Sequence, residues 1–447
     1  MLNPYDTANV PDFNMYFYLI VLFGTFYGFM SWQGSSGYQA SPLTPHEGKM
    51  GGIISLWRSV PQKLMLVLVP VCAVTFLAMP EYSEQAAAVS EQLANTEQHA
   101  RTAGEAETLK KQMLVPVAMA YMLPVGLKGL VCVAMLFFLI TTQDTYLHSW
   151  GSIFIQDVVM PFRKKRLTSK QHVSMLRWSI FGVSVFAFIF AIFYKQHQYI
   201  MMFQAVTGAI IAGSGAVIIG GLYWRRSTTT AAWTAMTVGW VMAITRMVTD
   251  QVIAPRYESV TERTGLLTVV DLLLKPNEQV YAFYTMLACI GSFVIVSLLS
   301  FRSPFNLARM LHRGKYASTS EHVQGEGKPE SIWMRVIYIT EEFSFTDRCL
   351  AIGLLVWNLI WVVLFAGASI YTWLLSAEGF STEAWARFWK IWVYIQLAIG
   401  IPVTIWFTVG GITDISKALR RLKTLQRDET DDGSVITPEA AGEETQS

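Results

Sequence analysis

The sequence is poor in charged residues. Only 15% of its 447 residues are Asp, Glu, Lys or Arg, while 53% are hydrophobic and the mean hydropathy is +0.37. Soluble proteins carry about 25% charged residues. This composition excludes a disordered chain and an ordinary soluble enzyme. The net charge of +2 also excludes a nucleic-acid binder that relies on excess basic charge.

Several other signals are missing. The four cysteines, Cys72, Cys132, Cys289 and Cys349, are too widely spaced for a disulfide framework or a metal-binding pattern. The opening residues MLNPYDTANVPDFN lack the basic region and cleavage site of a signal peptide. No Gly-rich phosphate loop occurs, and no apolar run contains His or acidic pairs at catalytic spacing. We therefore expect neither an enzyme nor a bound organic cofactor.

Long apolar runs, in contrast, are abundant. A transmembrane helix needs roughly 20 mostly apolar residues to cross the hydrocarbon layer. About nine runs meet this requirement, at residues 15–32, 52–79, 126–150, 178–194, 200–224, 231–248, 281–300, 351–373 and 389–410. The sequence therefore predicts an all-α polytopic membrane protein.

The basic residues are distributed unevenly between these runs. If residue 1 lies outside, most of the 34 Lys and Arg fall on the inner side, in the clusters 49–63, 163–177, 225–226, 302–348 and 417–427. Cytoplasmic loops of membrane proteins are enriched in Lys and Arg. We expect a multi-pass protein of the cell membrane with its N-terminus outside and its C-terminus in the cytoplasm.

Three segments are too polar to lie in the membrane. Residues 81–112 are rich in Ala, Glu and Gln and predict an exposed extracellular helical hairpin or long helix. The cytoplasmic loop 301–350 becomes amphipathic at 332–339, which is typical of a membrane-surface helix. The tail 420–447 ends in an acidic stretch rich in Gly and Thr and is expected to be disordered.

The third apolar run carries a stripe of hydroxyl groups. Thr141, Thr145 and Ser149 recur at helical i+4 spacing, and Thr142 and Asp144 flank them. Such oxygens can ligate a dehydrated Na⁺ ion together with backbone carbonyls. Alternatively, the hydroxyls only bond back to the preceding turn and contribute packing. An acid inside a membrane helix costs roughly 2.5–3.5 kcal/mol, so Asp144 is either functional or paired with a basic loop residue.

The surrounding motifs resemble the sodium/solute symporter family, which includes the sodium/glucose, sodium/proline and sodium/pantothenate transporters. The resemblance lies in PVGLKGL before the stripe, TTQDT within it, HSWGSIFIQDV and RKKRLTSK after it, and GGLYWRRSTTTAAWTAMTVGW further on. It covers residues 15–248 well and the remainder weakly.

The resemblance implies site residues and a coupling ion. Sodium, rather than a cofactor, would be bound by the hydroxyls of Thr141 and Thr142 and the carbonyl of Phe138, with Asp144, Thr145 and Ser149 as a supporting polar stripe. The segment FYGFMSWQGSSGYQA resembles the family's unwound helix, and residues implied to touch the solute are Trp32, Gln33, Ser35, Ser36, Tyr38 and, on a later Gly-rich helix, Gln204.

The resemblance also implies an architecture. Residues 1–250 would form the second inverted five-helix repeat of a leucine-transporter-like fold plus one following span, and 251–419 would form peripheral helices. The order of the motifs implies that the first repeat is missing. We therefore expect an N-terminally truncated or split transporter, whose missing N-terminal half another chain could supply.

Two functions follow from these observations. The first is sodium-coupled symport of a small organic solute, such as a sugar, an amino acid or a carboxylate. The alternative is a solute-sensing membrane module without coupled transport. Expected partners are the solute, Na⁺ and membrane lipid, with no nucleic acid. The tryptophans, Trp32 among them, suit stacking on a sugar or planar ring but equally suit anchoring at the membrane interface.

Overall fold

The structure is a computed structural model of the full chain. It describes residues 3, 5, 15–34, 42, 44–98, 103–163, 167–193, 207–253, 276, 278–310, 339, 342–375 and 379–424. Within these residues all regular structure is helical. The predicted all-α class is confirmed. The predicted surface helix at 332–339 lies outside the described residues except for Ile339, which is 2% exposed.

In the first half of the chain the structure describes six helices. They are α1 (Met15–Ser31), α2 (Pro45–Ala78), α3 (Ser83–Glu97), α4 (Ala103–Met122), α5 (Val125–Ile153) and α6 (Ser169–Phe193). A short 3₁₀ turn, Pro80–Tyr82, connects α2 to α3. A π-helical segment, Phe154–Val159, and a 3₁₀ turn, Met160–Phe162, extend α5.

The second half contains six more described helices. They are α7 (Ala212–Tyr223), α8 (Thr229–Val248), α9 (Glu278–Ser300), α10 (Leu307–Met310), α11 (Phe345–Ile370) and α12 (Thr382–Thr424). Helices α8 and α11 continue as π-helical segments, Thr249–Ile253 and Tyr371–Leu375.

Within the described ranges, six helical segments are long and apolar enough to cross a membrane. They are His46–Ala78, Val125–Phe162, Ser169–Phe193, Gln279–Ser300, Phe345–Ile370 and Thr382–Thr424, and two shorter apolar helices are Tyr16–Ser31 and Ala212–Tyr223. All eight overlap predicted spans. The remaining predicted span, 231–248, is the helix α8. The chain is a multi-pass membrane protein, while the total of about nine spans and the five-helix repeat remain predictions.

The described residues divide into two compact units. Unit 1 comprises Met1–Gln33, Val67–Met122 and Lys195–Ile395, and unit 2 comprises Gly34–Leu66, Leu123–Tyr194 and Gln396–Ser447. Helices α2 and α12 contribute residues to both units.

The core of unit 1 is formed by α1, α7, α8 and α9. Small residues dominate it, with Ala212, Ala231 and Ala235 fully buried. A Cβ atom placed on Gly213 would lie 2.5 Å from the backbone of Met236. Such close backbone approach is how membrane helices gain packing energy, because lipid provides little hydrophobic drive for helix association.

Helices α3 and α4 also belong to unit 1 and pack against each other. Val89, Leu93 and Val117 form a small buried cluster between them. Lys110 Nζ on α4 lies 3.0 Å from Glu97 Oε1 at the end of α3. The polar segment predicted at 81–112 thus contains one complete helix and the start of another.

Unit 2 contains the contact between α5 and α6. The Ser179 hydroxyl donates to the carbonyl of Gly151 at 2.9 Å. A Cβ on Gly151 would lie 2.8 Å from Ile180 Cγ1, so only glycine allows the two helices to approach this closely. This contact fixes the position of α5, the helix that carries the hydroxyl stripe.

Helix α12 is longer than a membrane requires. Its 43 residues correspond to about 64 Å at 1.5 Å per residue, against about 30 Å of hydrocarbon. It continues to Thr424, beyond residue 420 where the disordered tail was expected to start. Helix-favouring residues such as Lys417, Ala418 and Leu419 account for this extension. The rest of the predicted tail, 425–447, lies outside the described residues.

Candidate functional site

The predicted sodium ligands lie together on one turn of α5. Thr141 and Thr142 are exposed, and Phe138, one turn earlier, is 66% exposed. The helix is continuous from Val125 to Ile153. The Phe138 carbonyl and the two hydroxyls are therefore held within one helical turn by regular backbone geometry rather than by a break in the helix.

The hydroxyl of Thr141 bonds back to its own helix. It donates to the carbonyl of Phe137 at 2.8 Å and lies 3.3 Å from the carbonyl of Phe138. This is the interaction expected if the stripe contributes packing alone. A hydroxyl has one proton and two acceptor lone pairs, however, so a donated proton leaves its oxygen free to ligate a cation.

The Thr142 hydroxyl is exposed and forms no hydrogen bond within the described part of the chain. The Phe138 carbonyl has a second lone pair beyond the one used in the helix. Thr141, Thr142 and Phe138 thus offer three neutral oxygens on one face of a membrane-length helix. Neutral oxygens suit a monovalent cation because they require no buried fixed charge.

The residues of the supporting polar stripe differ in burial and in hydrogen bonding. Thr145 donates to the carbonyl of Thr141 at 2.7 Å. Ser149 is 0% exposed, and within the described residues its hydroxyl has no hydrogen-bond partner. Asp144 is exposed and forms no ion pair with any described residue, so the predicted pairing with a basic loop residue is not present in this part of the chain.

The predicted solute-binding segment begins at the end of α1. The helix stops at Ser31, and Trp32 retains one helical bond, from its N–H to the carbonyl of Gly28 at 3.0 Å. Trp32 is half-buried and Gln33 is exposed. The segment predicted to be unwound starts at Phe26, but its first six residues, up to Ser31, are still helical. The other predicted contacts, Ser35, Ser36, Tyr38 and Gln204, lie outside the described residues.

Helix α7 holds this end of α1 in place. The Tyr27 hydroxyl donates to the carbonyl of Ala212, and the Ser214 hydroxyl lies 3.3 Å from the carbonyl of Ser31. Ser31 is 1% exposed and bonds back to the carbonyl of Tyr27 at 2.9 Å. The Tyr27 hydroxyl and the carbonyl of Ser31 thus connect the last turn of α1, which precedes Trp32, to α7.

The backbone just before α7 is also irregular. Ile211 interrupts the helical geometry just before α7, with φ −88° and ψ 1°. The carbonyl of Ala212, directly after the interruption, is the one that accepts from Tyr27. Two irregular helix ends are thus tied together within unit 1.

Sequence analysis did not single out Tyr27, Ser31 or Ser214. A usable signal was present for Ser214, which lies between Gly213 and Gly215 in a helix that must pack closely. No comparable signal identified Tyr27, because one tyrosine among many aromatics in an apolar run is indistinguishable from a lipid-facing residue.

Conventional metal ligands do not cluster in the described part of the chain. Among the described residues, no three His, Cys, Asp or Glu side chains come close enough to hold a metal ion. Cation binding by the described residues would thus depend on hydroxyl and carbonyl oxygens such as those of α5.

Comparison with known proteins identifies a family similarity over part of the chain. The family model described as "Sodium:solute symporter family" matches residues 61–239. The match starts later than the resemblance read from the sequence, since it includes Phe138, Thr141, Thr142 and Gln204 but not the end of α1. A search of curated proteins gave no significant match. The sequence resemblance is thereby confirmed over residues 61–239, the part of the chain that is similar to the sodium:solute symporter family.

Proposed function

We propose that the protein is a sodium-coupled symporter of a small organic solute. The observation that carries the proposal is the hydroxyl pair Thr141 and Thr142, which lies on a membrane-length helix inside the matched family domain. A transporter in general follows from the family and the membrane helices. The coupling ion at this site and the solute chemistry are the proposal.

Sodium binds to the Phe138 carbonyl and to the hydroxyls of Thr141 and Thr142. All three positions lie on the exposed surface of α5, where a second element can cover them. Sodium takes about five or six oxygen ligands, so two or three more must come from elsewhere. We infer that backbone carbonyls of another helix supply them, either from this chain or from a partner chain.

The solute binds near the end of α1. Trp32 and Gln33 follow the last helical turn, where backbone groups are released from the helix ladder. An indole ring and an amide suit a sugar, an amino acid or a carboxylate, through stacking and hydrogen bonding. Ser35, Ser36, Tyr38 and Gln204 extend this proposed surface.

The α1–α7 contact positions the solute site. The Tyr27 hydroxyl donates from α1 to the carbonyl of Ala212, and the Ser214 hydroxyl lies 3.3 Å from the carbonyl of Ser31, while the Ser31 hydroxyl bonds back within α1. Irregular backbone at membrane depth persists only where protein or a water-filled cavity satisfies its polar groups. The three hydroxyls are hydrogen-bond partners for backbone carbonyls at the irregular ends of α1 and α7. We therefore assign them a positioning role rather than contact with the solute.

A solute-sensing module is the second candidate. The long cytoplasmic part proposed for α12, with exposed Lys417, Arg420 and Arg421, offers a surface for a partner protein. A sensor would bind solute without moving it across the membrane.

Uptake by purified protein in liposomes separates the two functions. Pools of radiolabelled sugars, amino acids and carboxylates are supplied with sodium outside, or with potassium in its place. We expect one pool to accumulate only with the inward sodium gradient. Accumulation that persists in potassium would contradict coupling to sodium, and solute binding without accumulation would establish the sensor.

Variants test the proposed sodium site in the same assay. Thr141→Ala combined with Thr142→Ala should abolish accumulation, whereas Thr141→Ser should retain it because the oxygen is kept. Thr237→Ala is the matched control, since Thr237 is an exposed threonine of α8 with the same back-bond, to the carbonyl of Trp233 at 2.8 Å. Full uptake by the double variant would refute the site.

A further inference from the structure

An open groove lies between the end of α5 and the side of α6. Its volume is about 460 Å³, and its walls include Phe154 and Ile155 from the π-helical segment and Trp178, Gly182 and Phe186 from α6. Apart from Ser179, the lining is apolar. Since the Ser179 proton is already donated to the carbonyl of Gly151, the groove offers almost no polar recognition. We call it the α5–α6 groove.

The sequence builds this groove in two ways. At Gly151 the two helices are in close contact, but directly afterwards α5 changes to π-helical geometry over Phe154–Val159. Such insertions often mark functional sites. On the facing wall, Gly182 has no side chain, and a Cβ placed there would meet nothing within 4 Å. A wider turn on one helix and a missing side chain on the other leave the space open.

Beyond the groove lining, toward the connection between α5 and α6, the sequence is polar and basic, and we call this the basic end. The amide nitrogen of Gln156 lies 3.5 Å from His172 Nε2. Arg163, directly after the α5 extension, and Lys170, in the first turn of α6, are both exposed. Asp157 is the single carboxylate in the sequence between Phe154 and Met175, which contains basic residues at 163–166 and 170.

We propose that the α5–α6 groove binds an anionic phospholipid, with one acyl chain in the groove and the phosphate against Arg163 and Lys170. Helices α5 and α6 are both long and apolar enough to cross a membrane. Trp178 and Phe186 are 71% and 69% exposed, so the groove opens on an apolar surface suited to lipid. Basic pockets between membrane helices recognise anionic headgroups. The positive end of the α6 backbone dipole adds to the attraction for phosphate.

Charge complementarity favours an anionic phospholipid over an uncharged lipid, an apolar helix or a soluble anion. An uncharged lipid or an apolar helix from a second copy would fill the groove equally well but would gain nothing from Arg163 and Lys170. A soluble anion would gain from the basic end but would leave the apolar walls uncovered. A molecule with both an acyl chain and a phosphate satisfies both parts.

Native mass spectrometry of the purified full chain tests the proposal. The protein is titrated in sodium-free buffer with phosphatidylglycerol or phosphatidylcholine carrying identical oleoyl chains, so the result does not depend on the transport proposal. We expect one retained phosphatidylglycerol, preferred by roughly fivefold or more, since each basic residue near an anionic headgroup contributes about that factor. Equal retention of the two lipids would overturn the proposal.

Three variants locate the site. Gly182→Leu fills open space in the groove and should reduce retention of the lipid several-fold. Gly367→Leu is the matched control, because Gly367 is an exposed glycine of α11 with nothing within 4 Å, and it should bind lipid normally. Arg163→Gln should lower the preference for phosphatidylglycerol several-fold, leaving the contribution of Lys170, while phosphatidylcholine binding stays unchanged.

The same spectra report oligomer mass. If Gly182→Leu changes the proportion of dimers and leaves lipid retention intact, a second copy occupies the groove and the proposal is wrong. If Gly182→Leu does not fold, Arg163→Gln alone decides, because a substitution at an exposed loop residue leaves the helix contacts in place. A preference unchanged by Arg163→Gln would also refute the proposed headgroup position.

Discussion

Gly215 shows how strongly a single residue constrains unit 1. A Cβ atom at this position would collide with the ring of Tyr27 and lie 3.0 Å from Ser31 Cβ. The ring cannot move aside easily, because it is 2% exposed and its hydroxyl is bonded to the carbonyl of Ala212. The glycine is therefore required by the contact that holds the end of α1.

Gly215→Ala should destabilise the protein by about 1–3 kcal/mol, the usual cost of overpacking a close contact. The measurement is thermal unfolding of purified protein in detergent. Gly221→Ala is the control on the same helix, because nothing lies within 4 Å of a Cβ at Gly221. It should leave stability unchanged or raise it by up to about 1 kcal/mol, because alanine favours the helix more than glycine does. Equal effects of the two variants would show that the contact at Tyr27 does not stabilise the helix pair.

At the level of elements, the α3–α4 pair combines a small apolar cluster with one ion pair. Leu93 is 4% exposed within the cluster. The Lys110 and Glu97 side chains retain 60% and 31% of their exposure, so water and salt screen their attraction. Packing rather than charge should hold these two helices together.

Leu93→Ala should loosen the pair by about 2–5 kcal/mol, as expected for truncating a buried leucine. Glu97→Gln should cost less than about 1 kcal/mol. Amide hydrogen exchange over α3 and α4 measures both, and only Leu93→Ala should raise the exchange rate markedly. Faster exchange in Glu97→Gln than in Leu93→Ala would contradict this ranking.

The sequence was a good guide to elements whose signal is one-dimensional. Apolar length located every candidate membrane helix, because crossing hydrocarbon requires a long uninterrupted run. Turns that depend on tertiary contacts were not predictable. The interruption at Ile211 contains no proline or polar residue. The π-helical segment after Ile153 contains Gln156 and Asp157, but polar residues alone do not distinguish a π-turn from a regular helical turn.

The same distinction applies to the candidate site. Thr141 and Thr142 were identified because motif and helical spacing coincide in a single element. Tyr27 and Ser31 were missed because their role arises from a contact with α7, some 185 residues away in sequence for the Tyr27–Ala212 hydrogen bond. Contacts of this kind cannot be read from the order of residues alone.

For the whole molecule, orientation in the membrane follows from the charge bias and remains a prediction. Cysteines are introduced as Ser90→Cys in α3 and Lys417→Cys in α12, in a variant whose four native cysteines are replaced. Both positions are exposed. A membrane-impermeant maleimide should label Ser90→Cys on intact cells and Lys417→Cys only after permeabilisation. The opposite pattern would reverse the orientation.

Direct measurement of Na⁺ binding tests the proposed sodium site at Thr141 and Thr142. Equilibrium binding of radioactive Na⁺ to the purified protein is compared between the unmodified chain, the Thr141→Ala and Thr142→Ala double variant, and Thr237→Ala, with potassium as competitor. We expect the unmodified chain to show saturable Na⁺ binding that potassium does not displace. This binding should be lost in the double variant and retained in Thr237→Ala. Undiminished saturable binding in the double variant would contradict the proposed site.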